Sequence, residues 1–210
     1  MSRIAVIDYG MGNLRSVSKA LENVAPDAQV VVSAEAAEIQ AASHIVFPGV
    51  GAIRDCMSEL QSRDLLGLLK QAASEKPFLG ICLGMQAMLS FSEENNGVTG
   101  LGLFSGQVRY FKQAAAAGLK VPHMGWNQVY QRQAHPLWQG IADTSRFYFV
   151  HSYYADPDKT VEIAGESSYA HSFTAALARD NIFAVQFHPE KSQHAGLQLL
   201  KNFVQWDGQV

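Results

Sequence analysis

Residues 78–91 read FLGICLGMQAMLSF, and the reading of this run decides the fold. Phe78 to Ile81 form a short apolar segment suited to a buried strand, and apolar residues return at helical spacing from Met85 to Phe91. Between them Gly80 and Gly84 bracket Cys82 in the form GxCxG. A strand that turns sharply into a helix around a reactive side chain is a nucleophile elbow. The turn holds its central residue in a strained conformation, and side chains on either flank would collide with neighbouring elements. Free N–H groups at the start of the following helix favour the thiolate, the reactive form of cysteine. Cys82 is therefore expected to be a nucleophile rather than a small buried strand residue. Cys56 lies in a helical pattern without a glycine bracket and reads as structural.

Outward from this run, the first hundred residues alternate short β-branched segments with longer amphipathic ones, the pattern of βαβ units. Strands are expected at Arg3 to Ile7, Ala28 to Val32, His44 to Phe47 and Phe78 to Ile81. Helices are expected at Leu14 to Val24, Arg54 to Leu60, Leu65 to Ala73 and Met85 to Phe91. Beyond Gly106 the texture is strand-rich and antiparallel: Val108 to Phe111, Gln128 to Tyr130, Phe147 to Val150, Thr160 to Ala164, Thr174 to Ala178 and Ala184 to Phe187, closed by a helix from Ala195 to Gln205. The alanine run Ala114 to Ala117 before Gly118 reads as a hairpin tip or exposed loop. The expected class is α/β, an open, mostly parallel central sheet flanked by helices with an antiparallel extension. Without a repeat or a Pro-, Gly- or Ser-rich linker, residues 1–210 are expected to form one domain.

Composition narrows the function. The net charge of -3 argues against capture of nucleic acid, which calls for clustered Lys and Arg. No apolar run approaches the length of a membrane span, and the N-terminus has no signal-like stretch, so a cytoplasmic protein is expected. The two cysteines have no CxxC pairing and are expected to be reduced. Charged residues are only 17% of the chain, against about 25% in an average globular protein, which hints at surface covered by a partner.

A thiolate attacking an amide needs a proton donor for the departing amine and a group that orients the donor. Gln186-Phe187-His188-Pro189-Glu190 supplies both, because residues two apart in an extended segment point the same way and Glu190 can reach the His188 imidazole. Taken alone, the HPE triplet is equally a surface ion pair. The oxyanion on the attacked carbonyl needs preorganised donors. One is expected from the backbone N–H of Leu83, the other from the loop Pro48-Gly49-Val50-Gly51, through Val50 and Gly51. That loop by itself is a common structural one.

The three motifs PGVG, GICLGMQ and QFHPEKS, in this order, resemble the triad (class I) glutamine amidotransferases over the whole chain. DYGMGNLRSV at 8–17, VPHMGWN at 121–127 and FVHSYY at 149–154 look more specifically like the glutaminase subunits of imidazole glycerol phosphate synthases. The resemblance implies a flavodoxin-like architecture and hydrolysis of L-glutamine to glutamate and ammonia through a cysteine thioester. It further implies a heterodimer with a cyclase (synthase) partner built as a β/α barrel, which receives the ammonia in histidine biosynthesis. Carried over by motif, Cys82 is the nucleophile, His188 the general acid and base, and Glu190 its orienting partner. Gly51, Gln86 and the backbone of Ser152 and Tyr153 would hold the amino-acid end of glutamine. Ile53 departs from the pattern, since an aromatic residue is commoner after PGVGA. If the Gly49–Val50 peptide can turn its N–H toward or away from the site, the partner could switch the oxyanion hole on.

Gly10-Met11-Gly12-Asn13 is not a GxGxxG fingerprint and fits a partner surface better than a nucleotide site. Asn13, Met124, Trp126 and Asn127 are expected at the partner interface, with core packing an open alternative for His123, Trp126 and Asn127. His151 reads as structural. His44, His135, His171 and His194 lack metal-ligand spacing, and neither a metal nor a cofactor is called for. The competing readings are an amidotransferase of anthranilate, guanylate or carbamoyl phosphate synthesis, a stand-alone γ-glutamyl hydrolase, and a non-enzymatic binding module.

Overall fold

The computed structural model describes residues 2–210. The chain runs β1 (Arg3–Ile7), α1 (Leu14–Val24), β2 (Gln29–Ser33), α2 (Ala36–Ala41), β3 (His44–Gly49), α3 (Ile53–Ser62), α4 (Leu65–Glu75), β4 (Phe78–Cys82), α5 (Leu83–Ala87), β5 (Leu89–Ser92) and β6 (Val98–Thr99). It continues through β7 (Phe104–Tyr110), α6 (Lys112–Ala116), β8 (His123–Gln128), β9 (Tyr130–Gln131), β10 (Arg146–His151), β11 (Tyr153–Pro157), β12 (Ile163–Tyr169), β13 (His171–Arg179), β14 (Ile182–Val185) and α7 (Gln193–Gln205). No helix among the described residues is long and apolar enough to cross a membrane.

One sheet organises the molecule, in the order β2-β1-β3-β4-β14-β13-β11-β7-β5-β6, with β12 paired to β13 and β9. The half from β2 to β14 is parallel throughout, and its order is that of flavodoxin-like folds. From β14 onward the pairing is mostly antiparallel, the expected extension. The ribbon β8–β10 stands apart as a second, two-stranded sheet.

Strand alternation divides the core into two layers. Ile4 and Val6 of β1, Phe183 and Val185 of β14 pack with Val17 and Leu21 of α1 and Leu199 and Phe203 of α7. Ala5, Ile7, Ile182 and Ala184 point the other way, among Leu60 of α3 and Leu69 of α4. Burial on both faces explains why these strands read as continuous apolar runs.

Four expectations need correction. The helix expected over Met85 to Phe91 is Leu83–Ala87, and the chain then extends as β5. A short apolar run is compatible with either state, and here Leu89 and Phe91 are drawn into register with Phe104 and Gln107 of β7. The alanine run expected to be a loop is α6, which buries Ala114 and ends where Gly118 takes φ +73°. Alanine is the best helix former, so the run is locally satisfied. The strand expected over Thr160 to Ala164 begins only at Ile163, after a 3₁₀ turn at Thr160–Glu162. Gln128 to Tyr130 is not one strand: β8 pairs with β10, β9 pairs with β12, and buried Val129 marks the change of partner.

Candidate active site

The carboxyl ends of the parallel strands converge on one cavity of about 330 Å³, within the range of small-molecule sites. It opens beyond the carboxyl ends of β3, β4 and β14, the usual side for ligands in such sheets. Val50, Gly51, Cys82, Leu83, Gln86, Ser152, Tyr153 and His188, all expected from the sequence, line it together.

Cys82 ends β4 and caps α5 with φ 55° and ψ -110°, a conformation that costs a non-glycine residue about 1–3 kcal/mol. The surroundings impose it. Gly49 is its register partner across β3 and β4, and a Cβ on Gly84 would collide with the Phe47 carbonyl. The turn is thereby wedged against β3, and Cys82 is 7% exposed. The expected contribution of the helix dipole is smaller than for a long helix, since α5 spans only Leu83–Ala87.

His188 follows β14, its N–H bonded to the Tyr148 carbonyl at 2.9 Å. Its Nδ1 lies 2.9 Å from Glu190 Oε1, and the Glu190 side chain is fully buried. A carboxylate oxygen can only accept, so Nδ1 carries the proton that joins them. Burial disfavours the charged ring, but the Cys82 sulfur and the Glu190 carboxylate together outweigh it and push His188 up to about 10. An imidazolium in the same cavity as the sulfur is the partner a thiolate requires.

Gln86 is buried, and its Nε2 donates to Tyr153 O and to Gln186 Oε1, each at 2.9 Å. Its remaining open atom toward a ligand is Oε1. The Ser152 and Tyr153 carbonyls are also engaged, by Phe111 N and by Gln86, whereas the Ser152 N–H makes no hydrogen bond among the described residues. Backbone at this corner therefore offers a donor, suited to a carboxylate.

Four residues of the site were missed by sequence reasoning. Glu94 brings a carboxylate to the cavity wall, held by the Ile53 N–H at 3.2 Å, and its burial raises its pKa. Lys191 lines the cavity close to Tyr148. Gln186, without exposure, donates to Cys82 Sγ at 3.8 Å. Ser192 accepts from Tyr148 N at 2.9 Å and donates to His188 O at 2.6 Å, bracing the histidine's backbone. Gln186, Lys191 and Ser192 sit inside the QFHPEKS run, so a signal existed; Glu94 had none.

The residues expected at a partner interface divide. Met124 and Trp126 project outward from β8, 63% and 43% exposed, whereas Asn127 turns inward to Ser168 O and His123. Asn13 lines a crevice behind the site with Gly49, Val50, His188 and Glu190. Cys56 is fully buried, and burial pushes its thiol up to about 12, so it stays protonated. Among the described residues, no group of three or more His, Cys, Asp or Glu is placed to hold a metal ion.

A family model described as "Glutamine amidotransferase class-I" matches residues 5–206. The imidazole glycerol phosphate synthase subunit HisH of Nitrosococcus oceani is 61% identical over 208 residues, covering 99% of each chain. Subunit HisH 1 of Pseudomonas aeruginosa is 58% identical over 211 residues, again 99% of each. Among solved structures, PurLQS from Thermotoga maritima superimposes with a TM-score of 0.74 at 16% identity, over 97% of this chain and 98% of that one. A glutamine amidotransferase from the same organism does so with 0.61 at 17%, over 90% and 76%; these two likenesses bear on the fold alone. The chain belongs to the class-I glutamine amidotransferases and, within them, to the family of the imidazole glycerol phosphate synthase subunit HisH.

Proposed function

We propose that this chain hydrolyses L-glutamine to glutamate and ammonia through a thioester on Cys82, and passes the ammonia to a synthase partner in histidine biosynthesis. The observation that carries the reading is the meeting, in one cavity, of a cysteine on a strained strand-to-helix turn with a buried His188–Glu190 pair. The Cys82 thiolate attacks the side-chain amide carbon. The backbone N–H of Leu83, with Val50 or Gly51, takes the oxyanion. His188 gives its Nε2 proton to the amide nitrogen, ammonia leaves, and the thioester forms. His188 then accepts a proton from water as the water attacks the thioester, and glutamate departs with the thiolate regenerated. Glu190 keeps the ring oriented through both steps.

Substrate selection follows from charge. The Ser152 N–H, with the Tyr153 backbone, receives the α-carboxylate, while the Glu94 carboxylate and Gln86 Oε1 face the α-ammonium. Gly51 lets the main chain approach closely. The exposed Met124 and Trp126 supply an apolar surface for the partner, and Asn13, in the crevice beside Val50 and His188, a polar contact. We read that partner as a β/α-barrel cyclase in a heterodimer. The two free thiols suit a reducing compartment, and we place the reaction in the cytoplasm.

The test is glutamate release by the chain with its synthase partner, before and after Cys82→Ala. The substitution should abolish turnover while glutamine still binds. Hydrolysis at the unsubstituted rate would remove the mechanism.

A further inference from the structure

Two buried histidines, His151 in the cavity wall and His123 behind it, join the surface strand β8 to the main chain of Tyr153. His151 Nδ1 lies 2.7 Å from Tyr153 O, His123 Nδ1 lies 3.0 Å from His151 Nε2, and Asn127 Nδ2 lies 3.2 Å from His123 Nε2. The proton positions follow from the ends of the chain. Tyr153 O can only accept, so His151 Nδ1 donates and, in a neutral ring, Nε2 accepts. His123 Nδ1 must then donate and its Nε2 accept. The far end demands the same direction independently: Asn127 Oδ1 accepts from the Gln128 N–H at 2.8 Å and its Nδ2 donates to Ser168 O at 2.9 Å, which fixes the amide with its N–H groups toward His123. Burial lowers His123 to about 4 and His151 to about 3, so both rings stay neutral in ordinary buffers.

The acceptor at the end is part of the site. Tyr153 O takes a second bond from Gln86 Nε2, so both its lone pairs are committed and the peptide is fixed from two sides. The rings themselves are clamped: His123 stacks on Tyr169 at 4.3 Å, and His151 packs against Phe111, Phe149 and Phe173. On β8, His123 and Asn127 alternate with the outward-facing Met124 and Trp126.

We propose that Asn127, His123 and His151 form a one-directional hydrogen-bond relay of positioning residues that sets the Tyr153 main chain and thereby the affinity of the site for glutamine. The inference rests on the reading of the cavity as the glutamine site. Because the relay starts on the strand that also carries Met124 and Trp126, anything that shifts β8 is felt at the α-carboxylate corner.

Two measurements test it on the full chain. Nitrogen-15 spectra of the imidazoles, which need no activity, should give both His123 and His151 as neutral rings protonated on Nδ1. A ring protonated on Nε2 at either position overturns the relay even if the enzyme hydrolyses glutamine. In the complex with the synthase partner, His151→Phe should raise KM for glutamine about tenfold, the scale of one lost hydrogen bond, with kcat within about twofold. His123→Phe should raise KM in the same sense, and the double variant should be no worse than His151→Phe alone. His123→Gln, which keeps one donor and one acceptor, should restore KM. A loss confined to kcat, or additive effects, overturns the proposal. If His151→Phe fails to fold, Asn127→Ala and His123→Gln carry the kinetic comparison. Absence of glutamine hydrolysis by the unsubstituted complex would count against the functional reading, with the proton positions still deciding whether the relay exists.

Discussion

Gly84 lies so close under the Phe47 carbonyl that a Cβ there would overlap the oxygen. This contact presses the start of α5 onto β3 and holds Cys82 in its positive-φ turn. Gly84→Ala should therefore act on stability and activity together. Overpacking of this kind costs about 1–3 kcal/mol, read as a lower urea midpoint, and the variant should lose glutaminase activity out of proportion to the folded fraction. A variant that folds less well but turns over normally would show that the turn can relax without harm.

Glu190 holds Nδ1 of His188 and is buried with it. Glu190→Gln keeps the shape but removes the charge and lets the amide present either a donor or an acceptor to the ring. A drop in kcat of about 10³-fold or more is expected by analogy with other orienting carboxylates, with KM for glutamine little changed. Initial-rate kinetics on the complex would check the split.

Gln186 links Cys82 to Gln86. Gln186→Leu leaves a Gln86 N–H buried without its acceptor, a loss of about 1–3 kcal/mol. Denaturant titration should detect it, and a higher KM should accompany it, since Gln86 also anchors Tyr153.

Stability should peak near neutral pH. Burial lowers His123 and His135 to about 4 and His151 to about 3, below the ordinary value near 6.5. The unfolded chain takes up these protons first, so the contribution of the three rings is full above about pH 6.5 and declines as pH falls toward their folded values. His188 works oppositely. Its folded value, held at about 10 against burial by Cys82 and Glu190, contributes stability that is full below about pH 6.5 and declines as pH rises through about 10. Urea midpoints between about pH 4 and 10 should fall on both sides, and Cys82→Ala should flatten only the alkaline side. A midpoint unchanged between about pH 7 and 4 would contradict the burial of neutral rings.

The isolated chain should hydrolyse glutamine slowly and respond strongly to the synthase partner, because Val50 lines the cavity and is itself exposed, so that a docked surface can turn the Gly49–Val50 peptide. Equal rates of glutamate release with and without the partner would remove that switch.

Local chemistry explains which features were readable in advance. The parallel half of the sheet was legible because its inner strands β1, β3, β4 and β14 are buried on both faces and read as short apolar runs between amphipathic helices. The GxCxG bracket was legible because only glycine fits beside the turn. The stretch Leu89 to Phe91 was misassigned because its apolar residues fit helix and strand equally, and the choice fell to pairing with β7, farther along the chain. Glu94 escaped notice for a similar reason. Nothing in its neighbours marks a site, and it becomes part of one only because its carboxylate is held by the Ile53 N–H at the cavity wall.

The sequence by itself marked Cys82, His188 and Glu190 as the candidate triad, because backbone sterics around Cys82 and the two-residue spacing of His188 and Glu190 are local constraints. Only the tertiary structure decided what surrounds them: the carboxylate of Glu94, the bond from Gln186 to the sulfur, and the line of imidazoles from Asn127 to Tyr153. Glu94 and Ile53, Gln186 and Cys82, and His123 and His151 lie far apart along the chain, and a hydrogen bond between them depends on how sheet and ribbon pack, which no local pattern encodes.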